Sequence, residues 1–240
     1  KIAMIVGRGM GIPDNGEIWH MLDQRFGIPP TLIEFTTLHS HDLSAYNVII
    51  LANGSPTEPL SPQALPKLKE WVENGGTLIT TGSAYKLTNK AKITDFKTLS
   101  QGKKKDKAEG NAHIEYQPYH NTAKSKSGIE GVIFNCHLDI TSPLGYGYEN
   151  PNVAIMKNGT TVMDFSQIKG SSPMQYTKQP YLSGCVSLEN IKRISNAPAS
   201  IVSGCGKGNV IWFSDDLNYR SYWFGGTKIF MNAIYFGQLY

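Results

Sequence analysis

The sequence lacks the long apolar run that a helix needs to cross a bilayer. Its 240 residues are 40% hydrophobic and 18% charged, which is the composition of an ordinary globular protein. A spanning helix needs about 20 consecutive apolar residues, and no run of that length occurs in the sequence. We therefore expect one globular domain with no membrane partner.

Cysteine and histidine are also scarce, which disfavours several kinds of site. The three cysteines, Cys136, Cys185 and Cys205, are too few and too scattered for a disulfide framework. We expect all three to be small, buried hydrophobic residues. The segment HSHD (39–42) offers two imidazoles and a carboxylate, but a zinc site needs further ligands that no pattern marks. The sequence thus predicts no metal and no cofactor in this chain, and Asp42 is expected to begin a turn.

A lysine-rich segment is the most strongly charged part of the sequence. Eight lysines and two acids lie between Lys86 and Lys107, although the formal charge of the whole chain is only +4. Such a patch attracts polyanions, but no nucleic-acid-binding motif or pattern of interleaved aromatic residues accompanies it. We expect no nucleic-acid partner, and we interpret residues 86–130 as an irregular, lysine-rich insertion.

Apolar runs alternate with helical patterns through the first hundred residues, as in a parallel sheet with helices on both faces. A predicted first helix (15–27) carries Ile18, Trp19, Leu22 and Phe26 at helical spacing and ends at Gly27. A second (61–76) begins at the predicted N-cap Ser61. Strands are predicted at 2–7, 31–35, 46–54, 77–82, 131–140, 152–156, 160–165, 199–204 and 210–216. A last helix is predicted at 225–239, with an apolar stripe that ends at Leu239.

Several longer segments together resemble a known family. They are VGRGMGIPDNGEIWHMLDQRFGIP (6–29), ANGS (52–55), GGTLITTGSA (75–84), GVIFNCHLDITSPLGYGY (131–148) and GKGNVIWFSDDLNYRSYWFGGTKIFMNAIYFG (206–237). In this order they resemble the flavodoxin-like fold of class I glutamine amidotransferases. More narrowly, they are similar to the amidotransferase-like domain that lies C-terminal to the catalytic domain in bacterial zinc carboxypeptidases. The Leu-Asp-x-x-x-Pro-Leu-Gly-Tyr-Gly and Arg-x-x-Trp segments are the specific parts.

The resemblance implies a single α/β domain over residues 1–240, with a mostly parallel sheet and a β-rich irregular insertion. It also implies that the chain is part of a longer bacterial protein, secreted or extracytoplasmic, with an N-terminal peptidase domain as its partner. The zinc of such a protein would belong to that other domain, since the His-x-x-Glu pair of its ligands does not occur here. That the chain begins with Lys1 agrees with this expectation.

In active class I amidotransferases, a cysteine stands in the turn after the strand that begins here near Leu78, and a His-x-Glu pair follows a later strand. Here Gly82 holds the first place, and Asp215 and Asp216 stand near the second. Because a thiolate nucleophile needs a base within hydrogen-bond reach, we expect no glutamine hydrolysis. The adjacent Ser83 is expected to cap the next helical turn.

The glycine-rich segment GRGMG (7–11) follows the first strand, where phosphate groups bind in many nucleotide-binding domains. It departs from Gly-x-Gly-x-x-Gly, and Pro13 stands before the helix. We therefore do not expect a nucleotide site.

Ligands of open α/β sheets bind beyond the carboxyl ends of the strands. The residues at these ends could hold a small polar ligand or could satisfy one another, and we favour an ion pair of Asp215 or Asp216 with Arg220. The Pro- and Gly-containing loop 138–148 is expected to cover the same edge. The candidate ligand-binding residues are Arg8, Asn53, Gly54, Ser55, Gly82, Ser83, Asp215, Asp216, Arg220 and Trp223.

Three functions remain open at this stage. The favoured one is a non-catalytic accessory domain of a larger zinc carboxypeptidase-like protein, with a role in stability, domain contacts or ligand docking. The second is a free-standing sugar- or peptide-binding module. The third is a cryptic hydrolase that uses Ser83 or Cys136, which would require a histidine next to the hydroxyl or the thiol.

Overall fold

A computed structural model describes residues 1–54, 61–99, 128–165 and 170–240. The strands are β1 (Ile2–Val6), β2 (Thr31–Glu34), β3 (Val48–Leu51), β4 (Thr77–Thr81), β5 (Val132–Leu138), β6 (Asn152–Lys157), β7 (Met174–Ser183), β8 (Ser200–Cys205) and β9 (Gly208–Phe213). The α-helices are α1 (Ile12–Trp19), α2 (Ala64–Glu73), α3 (Tyr85–Lys90), α4 (Leu188–Ile194) and α5 (Thr227–Phe236). No helix within these ranges is long and apolar enough to span a membrane.

The main sheet has six strands in the order β2-β1-β3-β4-β9-β8. All neighbours in it are parallel except β8, which runs antiparallel to β9 at one edge. The central strands β3, β4 and β9 are buried at every residue, as expected for strands covered on both faces. The predicted flavodoxin-like α/β fold is therefore confirmed.

A second, antiparallel sheet has the order β6-β5-β7 and packs on one face of the main sheet. Its Phe134 and Ile155 share one apolar core with Ile50 and Ile79 of the main sheet and with Phe230 of α5. On the opposite face, a separate core holds α2 against the main sheet. The second sheet thus belongs to the hydrophobic interior of the domain.

The first helix differs from its prediction because it changes type. After α1 the chain continues as a π-helix, His20–Arg25, and the amide of Phe26 donates to Met21 O five residues earlier. Trp19 and Phe26, predicted to lie in the apolar stripe, are more than a third exposed, whereas Met21 is buried. The wider turn rotates the side chains that follow it, which accounts for Phe26 but not for Trp19, the last residue of α1. The chain then leaves the helix through Gly27 at φ +64°, as predicted.

Other boundaries also need correction. Helix α2 begins at Ala64 rather than near Ser61, and the Ser61 hydroxyl hydrogen-bonds Gln63, which precedes the first helical residue. Helix α5 ends before Leu239, which is exposed. The predicted strand 160–165 is reduced to one bridge between Met163 and Thr98.

Two elements were not predicted at all, namely β7 and α4. Strand β7 mixes apolar residues with lysine, glutamine and proline, so it has no clear period of two. Part of the predicted insertion, 86–130, lies outside the described residues; its first residues form the end of α3. Of the cysteines, Cys136 is buried as expected, whereas Cys205 is half-buried and Cys185 is exposed.

Candidate ligand-binding cleft

A cleft of about 340 Å³ lies beyond the carboxyl ends of the parallel strands, where open α/β sheets bind their ligands. The loops after β3, β4 and β9 and the helix that follows β1 meet there, because parallel strands end at one edge of the sheet. Its walls are formed by Pro13, Asp14, Glu17, Asn53, Thr81, Gly82, Asn158, Ser214, Asp215, Asp216, Tyr219 and Arg220.

Half of the residues proposed from the sequence line this cleft, namely Asn53, Gly82, Asp215, Asp216 and Arg220. Four of the other candidates lie elsewhere or at its margin.

Gly54 and Ser83 adjoin the cleft behind Asn53. Arg8 is exposed and does not line it. Trp223 points to the second sheet, where its indole Nε1 donates to Ala154 O at 3.1 Å. Ser55 lies outside the described residues.

The turn after β4 is held by hydrogen bonds to the neighbouring strand ends. Asn53 Oδ1 accepts from the backbone N of Ser83 at 2.9 Å and from its Oγ at 2.7 Å. Trp212 Nε1 donates to Gly82 O at 2.9 Å, and Gly82 adopts φ +52°, which glycine tolerates without strain. Contrary to the prediction, Ser83 does not cap the next helix; it joins the β4 turn to the β3 turn.

The end of β9 contains a buried ionic network that the sequence did not reveal. Lys157 Nζ donates to Asp215 Oδ1 at 2.9 Å and to Ser214 Oγ at 3.0 Å, and its side chain is 1% exposed. The Tyr176 hydroxyl donates to the other Asp215 oxygen. A buried ion pair is tolerated only when its remaining polar atoms are bonded, and these contacts supply such bonds.

This network corrects the predicted pairing of Arg220. Within the described ranges, Arg220 forms an ion pair with neither Asp215 nor Asp216. Lys157 takes Asp215, and Asp216 Oδ1 accepts the backbone N–H of Asn218 at 2.9 Å. The Arg220 side chain is exposed and lies over the Tyr219 ring, 5.3 Å from its centroid.

The loop after β9 reaches the cleft through an unusual backbone. Arg220 and Ser221 adopt φ +48° and +57°, a left-handed conformation that costs free energy in residues other than glycine. Asn218 Nδ2 donates to Glu17 O at 2.8 Å, which fastens this loop to α1. In this conformation the backbone N–H of Arg220 hydrogen-bonds the Glu17 carboxyl.

Two acids of α1, Asp14 and Glu17, were missed by the sequence analysis. They stand three residues apart, and that spacing puts them on one face of a helix; the spacing on a helix after β1 was the available signal. The Asn53 side chain hydrogen-bonds the Asp14 carboxyl, but burial raises the Asp14 pKa above its ordinary value.

Glu17 is the more perturbed of the two acids. Its side chain is only 8% exposed, and Oε2 has no hydrogen-bond partner among the described residues. Burial, with a smaller contribution from the charge of Asp14, raises the Glu17 pKa to about 7, against the opposing hydrogen bond from Arg220. Near neutral pH this carboxyl therefore exists in both charge states.

The loop 138–148 does not cover the cleft, contrary to the prediction. It packs on the C-terminal helix: Asn232 Nδ2 donates to Leu144 O at 2.9 Å, and the Tyr240 hydroxyl accepts from Leu144 N at 3.1 Å. Asn232 is buried on α5, so its amide gives this loop partners away from the strand ends.

Within the described ranges, no histidine hydrogen-bonds either of the two nucleophile candidates. The Ser83 hydroxyl bonds Asn53 and Gly54, neither of which is a base. Cys136 is buried, and burial, with the Asp215 charge, raises its thiol pKa well above the ordinary value, so the thiolate is suppressed.

The HSHD segment has no metal-binding geometry. His41 Nε2 lies 3.2 Å from Thr37 Oγ1, and Asp42 Oδ1 accepts from Ser44 N at 2.9 Å, which is the turn expected for Asp42. No group of three potential metal ligands occurs in the described part of the chain.

No protein-family model and no curated protein matches the chain. Solved structures do. A cytoplasmic protein from Salmonella typhimurium is similar with a TM-score of 0.57 at 14% identity, covering 98% of both chains. The PurLQS structure from Thermotoga maritima gives 0.57 at 13% identity, covering 97% of this chain and 96% of the other. A ThuA-like protein from Bacteroides uniformis gives 0.58 at 11% identity, with coverage of 97% and 89%.

Identities this low establish a shared architecture and leave activity open. The similarity extends over nearly the whole chain in each case, so it includes the main sheet and the strand ends that form the cleft. The chain therefore has the flavodoxin-like fold of class I glutamine amidotransferase-like and ThuA-like domains.

Proposed function

We propose that the chain is a non-catalytic amidotransferase-like domain that docks a small polar ligand in its cleft and serves as an accessory domain of a larger zinc carboxypeptidase-like protein. The non-catalytic role is supported by the turn after β4, where active amidotransferases carry their nucleophile and where this chain has residues with a structural role. Gly82 occupies the place of the nucleophile, and the next hydroxyl, on Ser83, is committed to Asn53.

The end of β9 supports the same interpretation. An active domain of this fold needs a base there, but Asp215 is neutralised by Lys157 and bonded by Tyr176. The Asp215 oxygens already accept from Lys157, Tyr176 and Ser214, and no histidine occurs in the sequence after β9. Hydrolysis at Ser83 or Cys136 is therefore the weakest of the three functions.

An exposed aromatic surface beside the cleft supports the accessory role. The Arg25 guanidinium lies 4.4 Å from the centroid of the Phe224 ring and 5.5 Å from that of Phe26. Phe224 is 62% exposed, and the neighbouring Tyr222 is exposed as well. Clustered exposed aromatic residues are typical of surfaces that contact another protein, and a catalytic domain of the same protein is the partner that we propose.

The non-catalytic part is tested by incubating the purified chain with glutamine and measuring ammonia, in parallel with Ser83→Ala and Cys136→Ala. We expect no release above the buffer rate in any sample. Release that disappears in one variant would identify the nucleophile and refute the proposal.

The accessory part is tested in the full-length protein, with and without this domain. We expect deletion to lower the melting temperature or the yield of the remaining domain, since contacts to the native state stabilise it. Phe224→Ser, at a site that is 62% exposed, should make the full-length protein less stable in the same way, and Leu188→Ser, at an exposed site on α4, is its control. Unchanged stability on deletion would refute the accessory role.

The second candidate is a free-standing sugar- or peptide-binding module, which the open, polar cleft favours. Two amides and several hydroxyls, with Tyr219 at one side, line it, and such groups recognise hydroxylated ligands. A thermal-shift screen of sugars and short peptides on the isolated chain, combined with the domain deletion, distinguishes the candidates. Binding of one of these compounds, together with no effect of deletion, would favour the module.

A further inference from the structure

The walls of the cleft carry an excess of carboxyl groups. Four acids line it, Asp14, Glu17, Asp215 and Asp216, against the single guanidinium of Arg220. Lys157, below the wall, neutralises Asp215, which leaves three carboxyls. The Arg220 side chain stays exposed over Tyr219, so its charge is screened by solvent.

One of these carboxyl groups has an oxygen that no described residue hydrogen-bonds. Glu17 is more than nine-tenths buried in the cleft wall, and its Oε2 lacks a partner among the described residues. Buried polar atoms normally have a hydrogen-bond partner, and a buried carboxylate without one is costly. A ligand that brings N–H donors and positive charge would satisfy both needs of this group.

We propose that the cleft binds the ammonium group of a small amine, held by the Glu17 and Asp14 carboxylates, with the rest of the ligand against Asn53 and Tyr219. An ammonium group has three donors and no acceptor, which suits a wall of carboxyl oxygens. The inference deepens the proposed docking function and rests on it. Amino sugars and amino-acid derivatives share this chemistry.

Amine affinity should rise with pH because the ammonium needs the ionised form of Glu17. With a Glu17 pKa of about 7, the ionised fraction rises from about one tenth at pH 6 to about nine tenths at pH 8. An alkylamine stays protonated over this range, like a lysine side chain. The other charged groups that face Glu17 are Asp14 on its own helix, Asp216 and Arg220 on the loop after β9, and the Lys157–Asp215 pair.

The test is calorimetric titration of the chain with 1,5-diaminopentane and, as a neutral analogue of the same length, 1,5-pentanediol. We expect the diamine to bind about tenfold more tightly at pH 8 than at pH 6, and the diol to bind at least tenfold more weakly than the diamine at pH 8. Titration with glucosamine, with glucose as its amine-free analogue, and with lysinamide then shows whether a sugar or an amino-acid scaffold is preferred.

Variants locate the binding. Glu17→Gln should weaken diamine binding at least tenfold at pH 8 and remove its pH dependence, and Asp14→Asn should weaken it independently. Glu73→Gln is the matched control, because Glu73 is at the far end of α2, where it pairs with Lys69 at 3.5 Å. Far-UV circular dichroism checks that each variant is folded.

Three results would overturn the inference: equal binding of diol and diamine, undiminished binding by both Glu17→Gln and Asp14→Asn, or no diamine binding below about 10 mM, which is about −2.7 kcal/mol. Ammonia release from glutamine would refute the non-catalytic function without affecting this result. Conversely, a lack of amine binding leaves the accessory role intact, so the two proposals fail separately.

Discussion

At the scale of single residues, Glu17 determines much of the electrostatics of the cleft. Its folded pKa of about 7 lies above the ordinary value of 4.5, so the folded state binds more protons than the unfolded state between these values. As far as Glu17 is concerned, the free energy of unfolding is highest below pH 4.5, where the carboxyl is protonated in both states. This part of the stability is lost as the pH rises through 7 and the buried carboxyl must ionise.

We predict that Glu17→Gln is more favourable to folding at pH 8 than at pH 4.5. The free energy of unfolding of the variant minus that of the unmodified chain should be about 1 to 3 kcal/mol larger at the higher pH. Gln cannot ionise, so the comparison between the two pH values isolates the charge from the change of side chain. Urea unfolding at both pH values measures this. A difference that is the same at both would contradict the assigned shift.

Lys157 is the second residue whose role follows from burial. Removing one partner of a buried ion pair leaves the other charge unpaired and costs about 3 to 5 kcal/mol. We predict that Lys157→Met lowers the free energy of unfolding by about this amount. The double variant with Asp215→Asn should recover most of the loss, and denaturant titrations compare the two. A double variant as unstable as the single one would show that packing, and not charge, is responsible.

At the scale of elements, the turn after β4 depends on a glycine for two reasons. Gly82 has φ +52°, and a Cβ there would approach Asn53 Oδ1 to 2.7 Å. Gly27 has a similar φ of +64° with nothing within 4 Å of an added Cβ. Alanine substitutions at these two glycines therefore separate the cost of backbone strain, which both share, from the cost of steric overlap, which only Gly82 has.

We predict that Gly82→Ala destabilises the fold by about 2 to 4 kcal/mol, and Gly27→Ala by about 1 kcal/mol. The difference is the overlap with Asn53, so Asn53→Ala should cost less in the Gly82→Ala background than alone. Thermal and urea unfolding of the four variants measure these terms. Equal costs for the two glycines would mean that Asn53 moves away freely.

The elements that the sequence predicted well are those with a local signature. Strand β3 is a continuous apolar run, VIIL, as is typical of a strand in a doubly covered sheet. The π-helix that removes Phe26 from the apolar stripe was not predictable from spacing, because the α-helical period itself changes there. The Lys157–Asp215 pair joins residues 58 positions apart across two sheets, and no local pattern indicates it. The site was thus predictable as a place in the fold, but not in its ionic contacts.

At the scale of the whole molecule, the two sheets share one core. Phe134 of the second sheet and Ile79 of the main sheet belong to the same buried cluster. Because neither sheet can lose its partner without exposing this cluster, their unfolding should be coupled.

We predict a single calorimetric transition, with a ratio of calorimetric to van't Hoff enthalpy close to one. Phe134→Ala should shift this transition to lower temperature by removing about 3 to 5 kcal/mol, without dividing it. Hydrogen exchange of β5 amides is the complementary measurement, and it should report the same opening free energy as β4. Two separated transitions would show that the second sheet is an independent unit.

The contact between Gly82 and Asn53 also bears on how reactivity could return in evolution. A Gly82→Cys change would place its Cβ against Asn53. A histidine side chain at the end of β9 would need the space that Ser214, Asp215 and Lys157 now occupy. Each of these substitutions is harmful before the others are present. A lineage with this arrangement would therefore need several simultaneous mutations to recover a nucleophile, so the inert form is hard to reverse one step at a time.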